Sequence, residues 1–88
     1  MKTEMNKLED YLKEHSYRYG RTEIWDGEQI IVYGESVNDI RWDALCCSIS
    51  YGGKEGLLEI MGEIVPEGND VLGYLKAEDI IKILEERK

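Results

Sequence analysis

The chain lacks phenylalanine, and its 88 residues include one proline, one histidine and two cysteines, which are adjacent. The single histidine, His15, and the pair Cys46-Cys47 do not supply the spaced ligands of a zinc site or the two-residue gap of a dithiol redox motif. We therefore predict no metal, no cofactor and two reduced, mostly buried cysteines. His15 is expected at the end of a helix, where it compensates the dipole or lies on the surface.

Long hydrophobic runs are also missing. No apolar stretch approaches the roughly 18 residues of a membrane span, and residues 1–4 lead into a polar pattern without the apolar segment of a signal peptide. With 42% apolar and 34% charged residues, the composition is that of a soluble globular chain rather than a disordered one. We predict one small cytoplasmic domain over residues 1–88, with no membrane partner.

Motifs for catalysis are lacking too. Ser16 follows His15, but neighbours in sequence do not form a triad, and no Gly-x-Ser-x-Gly elbow is present. Residues 52–56 (Gly-Gly-Lys-Glu-Gly) lack the spacing and the Ser/Thr of a phosphate-binding loop. Residues 67–70 do not follow the alternating ligand pattern of a calcium loop. We predict that the chain has no catalytic residues and is not an enzyme.

Positive charge is scarce in the middle of the chain. Residues 22–72 contain eleven acids and two bases, Arg41 and Lys54, for a local charge of −9, whereas residues 1–21 come to +1 and residues 73–88 to zero. An acidic middle attracts a partner with a basic surface and repels nucleic acid. The eleven acids are Glu23, Asp26, Glu28, Glu35, Asp39, Asp43, Glu55, Glu59, Glu63, Glu67 and Asp70.

Two segments have helical periodicity. Apolar residues recur at helical spacing over residues 4–15, and Thr3 precedes them as the expected N-cap. A second amphipathic stripe runs from Ala77 to Leu84, with acids in its first turn and bases in its last, as the helix dipole favours. Each stripe gives a helix one apolar face, which must pack on another element.

A hairpin is the clearest β signal. The dipeptide 26–27 (Asp-Gly) separates two β-rich runs, 19–25 and 28–33, and predicts a two-residue turn that pairs Trp25 with Glu28. The predicted core face of the hairpin holds Thr22, Ile24, Ile31 and Tyr33. The opposite face holds Arg21, Glu23, Trp25, Glu28, Ile30 and Val32.

The remaining segments complete a sheet. Residues 41–50 are predicted as a third strand, with a helix over residues 37–47 as the alternative, because a short apolar run does not settle the period. Residues 57–65 are predicted as a fourth strand and residues 71–75 as extended. The order α-β-β-β-β-α predicts an α+β domain: an antiparallel sheet of about four strands with the N- and C-terminal helices packed on one face.

Two blocks carry a resemblance. Residues 50–59 (Ser-Tyr-Gly-Gly-Lys-Glu-Gly-Leu-Leu-Glu) and 71–80 (Val-Leu-Gly-Tyr-Leu-Lys-Ala-Glu-Asp-Ile) resemble segments of small uncharacterised acidic proteins carried by phages and integrative mobile elements. The resemblance covers residues 41–82 and implies a mobile-element origin, but no activity. Lys76 stands where such chains often have threonine, which removes a side-chain cap from the last helix at a cost of about 1 kcal/mol.

The aromatic residues are six tyrosines and two tryptophans, which favour half-wet positions and protein contacts. Trp25, near Glu23 and Glu28, is either an anchor ringed by acids or a cap on the sheet edge. Trp42 is predicted in the core. Tyrosines and arginines alternate over residues 17–21, but this patch is small beside the acidic middle, so no direct nucleic-acid binding is predicted.

These features favour a small acidic protein-binding module that presents carboxylates to a basic groove of another protein. With a mobile-element origin, its narrowest form is an anti-defence inhibitor, similar to anti-CRISPR or anti-restriction proteins, whose carboxylates replace phosphates in a host nuclease. The alternative is a structural or accessory homodimer, formed through an open sheet edge and without enzymatic activity. The predicted partner-binding residues, expected to converge on one exposed patch, are Glu23, Trp25, Glu28, Glu35, Asp39, Glu59, Glu63, Glu67 and Asp70.

Overall fold

The computed structural model of the chain describes residues 2–87. Helix α1 (Glu4–Glu14) is followed by five strands and by helix α2 (Ala77–Glu86), with one 3₁₀ turn, Gly53–Glu55, between the third and fourth strands. The strands are β1 (Arg18–Ile24), β2 (Gly27–Tyr33), β3 (Ile40–Cys46), β4 (Leu58–Gly62) and β5 (Val71–Leu75). Neither of the helices in this part of the chain has the length and apolarity needed to cross a bilayer.

The strands form one antiparallel sheet in the order β1-β2-β3-β4-β5, which confirms the α+β class with a helix at each end. Such a meander needs only short connections. The sheet has five strands rather than about four, because the extended segment 71–75 pairs with β4. The strand prediction for residues 41–50 is confirmed over residues 41–46 of β3, and the helical alternative is not observed. Residues 47–50 form a turn instead of continuing the strand.

The core lies between the two helices and one face of the sheet. The register places Ile30, Ala44 and Ile60 side by side across β2, β3 and β4, and all three are fully buried. Trp42, as predicted, belongs to the core and is 3% exposed. The helices contribute Met5, Leu8, Tyr11, Leu12, Ala77, Ile80 and Leu84 to the same cluster.

The β1–β2 turn lies one position earlier than the Asp-Gly signal predicts. Ile24 pairs with Gly27, so the turn consists of residues 25–26, and Trp25 takes the positive φ of 53°. Gly27 is needed for a different reason: a Cβ there would collide with the carbonyl oxygen of Cys46 on β3. The glycine therefore serves close strand packing rather than the turn.

The predicted core face of the hairpin was wrong. Ile30 and Val32 are buried against the helices, whereas Ile31 lies on the opposite face and outside the core. On β1, the helix-side positions hold Tyr19 and Arg21, whose polar ends both donate hydrogen bonds to a carboxylate of α1. Side chains of this kind can bury an apolar stem while the polar tip makes hydrogen bonds. In the sequence, their polar character therefore favours the wrong interpretation, that this face is exposed to solvent.

The predicted roles of the cysteines and of the histidine fit the structure. Cys46 and Cys47 are free thiols, the first half-buried and the second buried, and burial raises the pKa of Cys46. His15 is the C-cap of α1. Its ring stacks on Tyr11 with a centroid separation of 3.9 Å. These three residues are accounted for by the fold.

The two helices are capped differently. The hydroxyl of Thr3 accepts a hydrogen bond from a backbone N–H of the first turn of α1 (3.1 Å), as predicted. At α2 the N-cap is Lys76, and two carboxylates act instead: Asp79 accepts from the N–H of Lys76 (2.8 Å) and Glu4 from that of Ala77 (2.7 Å). Because Glu4 belongs to α1, one helix caps the other and offsets the loss expected at Lys76.

Replacing Glu4 tests this cap. The hydrogen bond from the N–H of Ala77 is the main reason that the pKa of Glu4 lies below its ordinary value, so the charged carboxylate stabilises the folded state. We expect Glu4→Ala to lower the free energy of unfolding by about 1 kcal/mol at pH 7. The deficit should shrink as the pH falls below 4.5, the ordinary pKa of this group, and through its lowered folded-state pKa.

Urea unfolding at pH 7 and pH 3 measures both effects. Glu14→Ala, which removes an exposed acid at the other end of α1, is the control and should change stability little. An equal deficit of Glu4→Ala at both pH values would contradict the charged cap.

Candidate partner-binding surfaces

The sheet has two ends. The hairpin end carries the turn at residues 25–26 and the loop 47–57, and the loop end carries the loops 34–39 and 63–70. Strands of seven residues separate the two ends by roughly 20 Å. The predicted residues at the hairpin end are Glu23, Trp25 and Glu28, and those at the loop end are Glu35, Asp39, Glu63, Glu67 and Asp70. The predicted convergence on one patch therefore does not occur.

Glu59 was predicted as exposed surface charge, and the structure contradicts this. It is only 8% exposed, and its carboxylate accepts a hydrogen bond from the backbone N–H of Tyr51 (2.8 Å). The loop that contains Tyr51 folds across the sheet, because Gly73 on β5 has no Cβ to meet the tyrosine. The strand predicted over residues 57–65, which would place Glu59 and Glu63 on one face, ends at Gly62. Glu63 lies in the turn after β4, so these two acids do not share a strand face.

Arginines neutralise part of the loop end. Arg41 lies 3.2 Å from a carboxylate oxygen of Asp39 and 3.2 Å from one of Glu63, and Arg87 lies 3.5 Å from Glu63. Exposed pairs of this kind add little stability, but they reduce the field that a partner meets. Three exposed loop-end acids have no ion pair within residues 2–87: Glu35, Glu67 and Asp70.

At the hairpin end, Arg21 ties α1 to the hairpin. Its guanidinium lies 2.6 Å from a carboxylate oxygen of Glu28 and 2.7 Å from one of Glu9. Tyr19 donates a hydrogen bond to Glu9 (2.9 Å), and burial together with this bond raises the pKa of Tyr19 to about 12. Tyr17 and Tyr19 pack against the core, and Arg18 donates hydrogen bonds to the carbonyls of Gly34 and Glu35. The alternating tyrosines and arginines therefore do not form an open basic and aromatic patch.

Four large apolar side chains are exposed at the hairpin end. They are Trp25 (70% exposed), Ile49 (73%), Tyr51 (57%) and Tyr74 (62%). Hydrogen bonds link the segments that carry them: the carboxylate of Asp26 accepts one from the N–H of Ser48 (3.0 Å), and the carbonyl of Tyr51 accepts one from the N–H of Tyr74 (3.1 Å). The turn, the loop and the end of β5 therefore follow one another along the hairpin end, from the turn after edge strand β1 to the opposite edge strand β5. We name these four exposed side chains the aromatic rim (Trp25, Ile49, Tyr51 and Tyr74).

Two residues of the aromatic rim have a strained backbone. Trp25 has a φ of 53° and Tyr74 a φ of 57°, in the left-handed region that costs a bulky residue about 1–2 kcal/mol. Tyr74 lies at a β-bulge, because two residues of β5, 73 and 74, lie opposite the single residue Glu59 of β4. Both rings are mostly exposed, so core packing does not explain why aromatic residues occupy these two positions.

Grooves adjoin the aromatic rim. One of about 470 Å³ lies between the hairpin turn, the start of α1 and residues 46–56, and its lining includes Asp26, Ser48 and Lys54. A smaller one of about 340 Å³ shares Ser48 and Lys54 and is bordered by Tyr74. No group of three or more acidic, histidine or cysteine side chains within residues 2–87 is arranged to hold a metal ion.

Residues missed by the sequence-based prediction are Ile49, Tyr51 and Tyr74. Ile49 and Tyr51 fall in a segment that sequence alone assigns to a strand end or a loop. The exposure of Tyr74 depends on the bulge in β5. The signal available in the sequence was weak: an apolar residue and a tyrosine beside the glycines at positions 52–53, which favour a loop over a buried strand.

Comparisons of the chain with protein-family models, with curated proteins and with solved structures found no match. Its function is therefore inferred from these surfaces.

Proposed function

We propose that this chain is a protein-binding module whose hairpin end docks on a partner protein. The observation that carries the proposal is the pair Trp25 and Tyr74, two largely exposed aromatic side chains held in strained backbone conformations at the same end of the sheet. Tryptophan and tyrosine are the residues most often found as binding hot spots. Strain that persists without a role in the core is typical of functional positions.

The charges around the aromatic rim indicate the chemistry of the partner. Glu23, Asp26 and Glu55 are exposed at this end of the sheet, together with the bases Lys54 and Lys76. Hydrogen bonds from Ser48 lower the pKa of Asp26, so it is charged at neutral pH. A partner surface with apolar pockets surrounded by lysines or arginines matches this arrangement, and the net charge of −8 favours rapid encounter with it.

An anti-defence inhibitor is a narrower form of this proposal. Mimicry of a phosphate backbone requires a continuous row of unpaired carboxylates. The acids are divided between two ends of the sheet, and Glu28, Asp39 and Glu63 are in ion pairs. This geometry favours an aromatic anchor with an acidic surround over a long row of phosphate-like charges.

A homodimer through β1 is the second candidate. This seven-residue edge strand has no strand partner on its outer side within the described residues. Its charged residues Arg18, Arg21 and Glu23 are of the kind that protects edges from pairing, which ranks the homodimer second. Sedimentation velocity distinguishes the two: a monomer at every concentration contradicts the homodimer, and a dimer lost on mutation of β1 supports it.

The double variant Trp25→Asn and Tyr74→Asn tests the aromatic rim. Asparagine tolerates a left-handed backbone, so each substitution should leave the free energy of unfolding within about 1 kcal/mol of wild type, as relief of strain offsets the lost contacts. Loss of one hot spot weakens binding roughly 30-fold or more. We therefore expect that a partner captured from a lysate of the source cells by wild type is not captured by the double variant.

The matched control is Val37→Asn, which changes a side chain that is equally exposed but lies at the loop end. It should capture the partner as wild type does, and capture by both should weaken at high salt. Equal capture by wild type and by the double variant would contradict the proposed docking surface.

A further inference from the structure

The sheet face opposite the helices is a second, separate surface. Cross-strand pairing places Ile31, Asp43, Met61 and Val71 in one row across β2 to β5. A neighbouring row holds Gln29, Leu45 and Glu59. We name these seven residues the open face. Its apolar side chains are not part of the core cluster, and within residues 2–87 no helix covers it.

Two carboxylates lie among these apolar side chains. Asp43 is half-buried between Ile31 and Met61 of its own row, and Glu59 is only 8% exposed. The amide of Gln29 donates a hydrogen bond to Asp43 (2.6 Å). Burial raises the pKa of Asp43 above its ordinary value, since the opposing effect of the hydrogen bond from Gln29 is smaller and the negative charge of Glu59 adds to the increase.

The nearest bases of the sheet are engaged elsewhere. Arg18 donates hydrogen bonds to the carbonyls of Gly34 and Glu35 at the loop end. Arg41 donates to Asp39 and to Glu63. The open face is therefore acidic, apolar and without a base of its own among its seven residues.

We propose that the open face docks a cationic segment of a partner protein, with one arginine or lysine side chain placed between Asp43 and Glu59 and apolar neighbours on Ile31, Leu45 and Met61. Charge complementarity selects this occupant. A second copy packed on the same face would oppose Asp43 and Glu59 to their own counterparts, and like charges in a desolvated contact are costly. The open face adjoins the aromatic rim where the N–H of Tyr51 donates a hydrogen bond to Glu59, but the inference does not depend on the proposed docking of the aromatic rim.

The test uses the full chain and a displayed library of random dodecapeptides. Selection on wild type, with Asp43→Asn/Glu59→Gln protein in excess as competitor, should enrich peptides that have an arginine or lysine flanked by apolar residues. Synthetic versions of these peptides should bind the variant about tenfold or more weakly than wild type. Replacing the arginine by citrulline, which has the same shape but no charge, should cause a similar loss.

Controls separate a binding role from a structural one. Both substitutions keep an oxygen acceptor for Gln29 and for the N–H of Tyr51, so the variant should stay folded, which its thermal unfolding checks. Asp70→Asn removes the same charge at the loop end and should leave peptide binding unchanged. The double variant of the aromatic rim should also bind the peptides normally, which distinguishes this surface from the proposed docking end.

Three results would overturn the inference. The first is selection of no cationic peptide, and the second is equal binding of the selected peptides to wild type and to the Asp43→Asn/Glu59→Gln variant. The third is a dimer, seen in sedimentation, that Leu45→Glu converts to a monomer. The last result would assign the open face to a second copy of the chain.

Discussion

Trp42→Ala is expected to lower the free energy of unfolding by about 3–5 kcal/mol, since it removes the largest side chain of the core. Trp42 is 3% exposed and lies opposite Val32 on β2 and Gly62 on β4. A domain of 88 residues has a total stability of roughly 4–13 kcal/mol. The variant should therefore be marginally folded or unfolded at 37 °C.

The chain contains its own matched control. Trp25→Ala is the same chemical change at a side chain that is 70% exposed, and it should cost no more than about 1–2 kcal/mol. Urea unfolding followed by far-UV circular dichroism compares the two variants without relying on tryptophan fluorescence. Losses of similar size would contradict the assignment of Trp42 to the core and Trp25 to the surface.

Gly27→Ala is expected to lower the free energy of unfolding by about 2–3 kcal/mol, because the structure has no space for the added methyl group. The new Cβ would run into the carbonyl oxygen of Cys46, at the hairpin end of the β2–β3 pairing, and the strands would have to separate there. Gly56→Ala is the control. Gly56 has a φ of 77° and no heavy atom within 4 Å of a built Cβ, so alanine there should cost only the backbone strain of about 1 kcal/mol.

The comparison distinguishes two roles for Gly27. If it were the turn glycine of an Asp-Gly hairpin, alanine at position 27 would cost about as much as alanine at position 56. Chemical denaturation of both variants decides between the roles, and equal losses would restore the register predicted from the sequence.

Local signals in the sequence were sufficient for several elements. The periodicity of residues 4–15 and the cap at Thr3 predict α1 to within one residue, and the stripe from Ala77 predicts α2. Trp42 in the core and the α+β order follow from the same patterns. These features depend on residues close together in the chain, which explains why sequence reasoning reaches them.

Features that depend on distant contacts were not predictable. Part of the cap of α2 comes from Glu4, which accepts a hydrogen bond from the backbone N–H of Ala77, 73 positions later in the chain. The burial of Glu59 depends on a loop in which the backbone N–H of Tyr51 donates a hydrogen bond to the carboxylate of Glu59. The helix-side face of β1 is polar in sequence because Arg21 there pairs with acids on α1 and β2.

The candidate site was only partly visible. Trp25 stands out because of its place beside a turn, whereas Tyr74 is exposed by a bulge that no short motif announces. Counting charges along the sequence identifies an acidic middle segment but does not show where its side chains lie in space. Successive antiparallel strands carry neighbouring acids of the sequence to opposite ends of the sheet, so a cluster in sequence becomes two groups in space.

Hydroxyl-radical footprinting of the complex with the captured partner tests the docking surface most directly. Mass spectrometry then reports the oxidation of each aromatic, sulfur-containing and aliphatic side chain, free and bound. We expect Trp25, Tyr51 and Tyr74 to lose most of their reactivity on binding, while Val37 at the loop end stays reactive. Protection of the loop end with the aromatic rim still reactive would contradict the account.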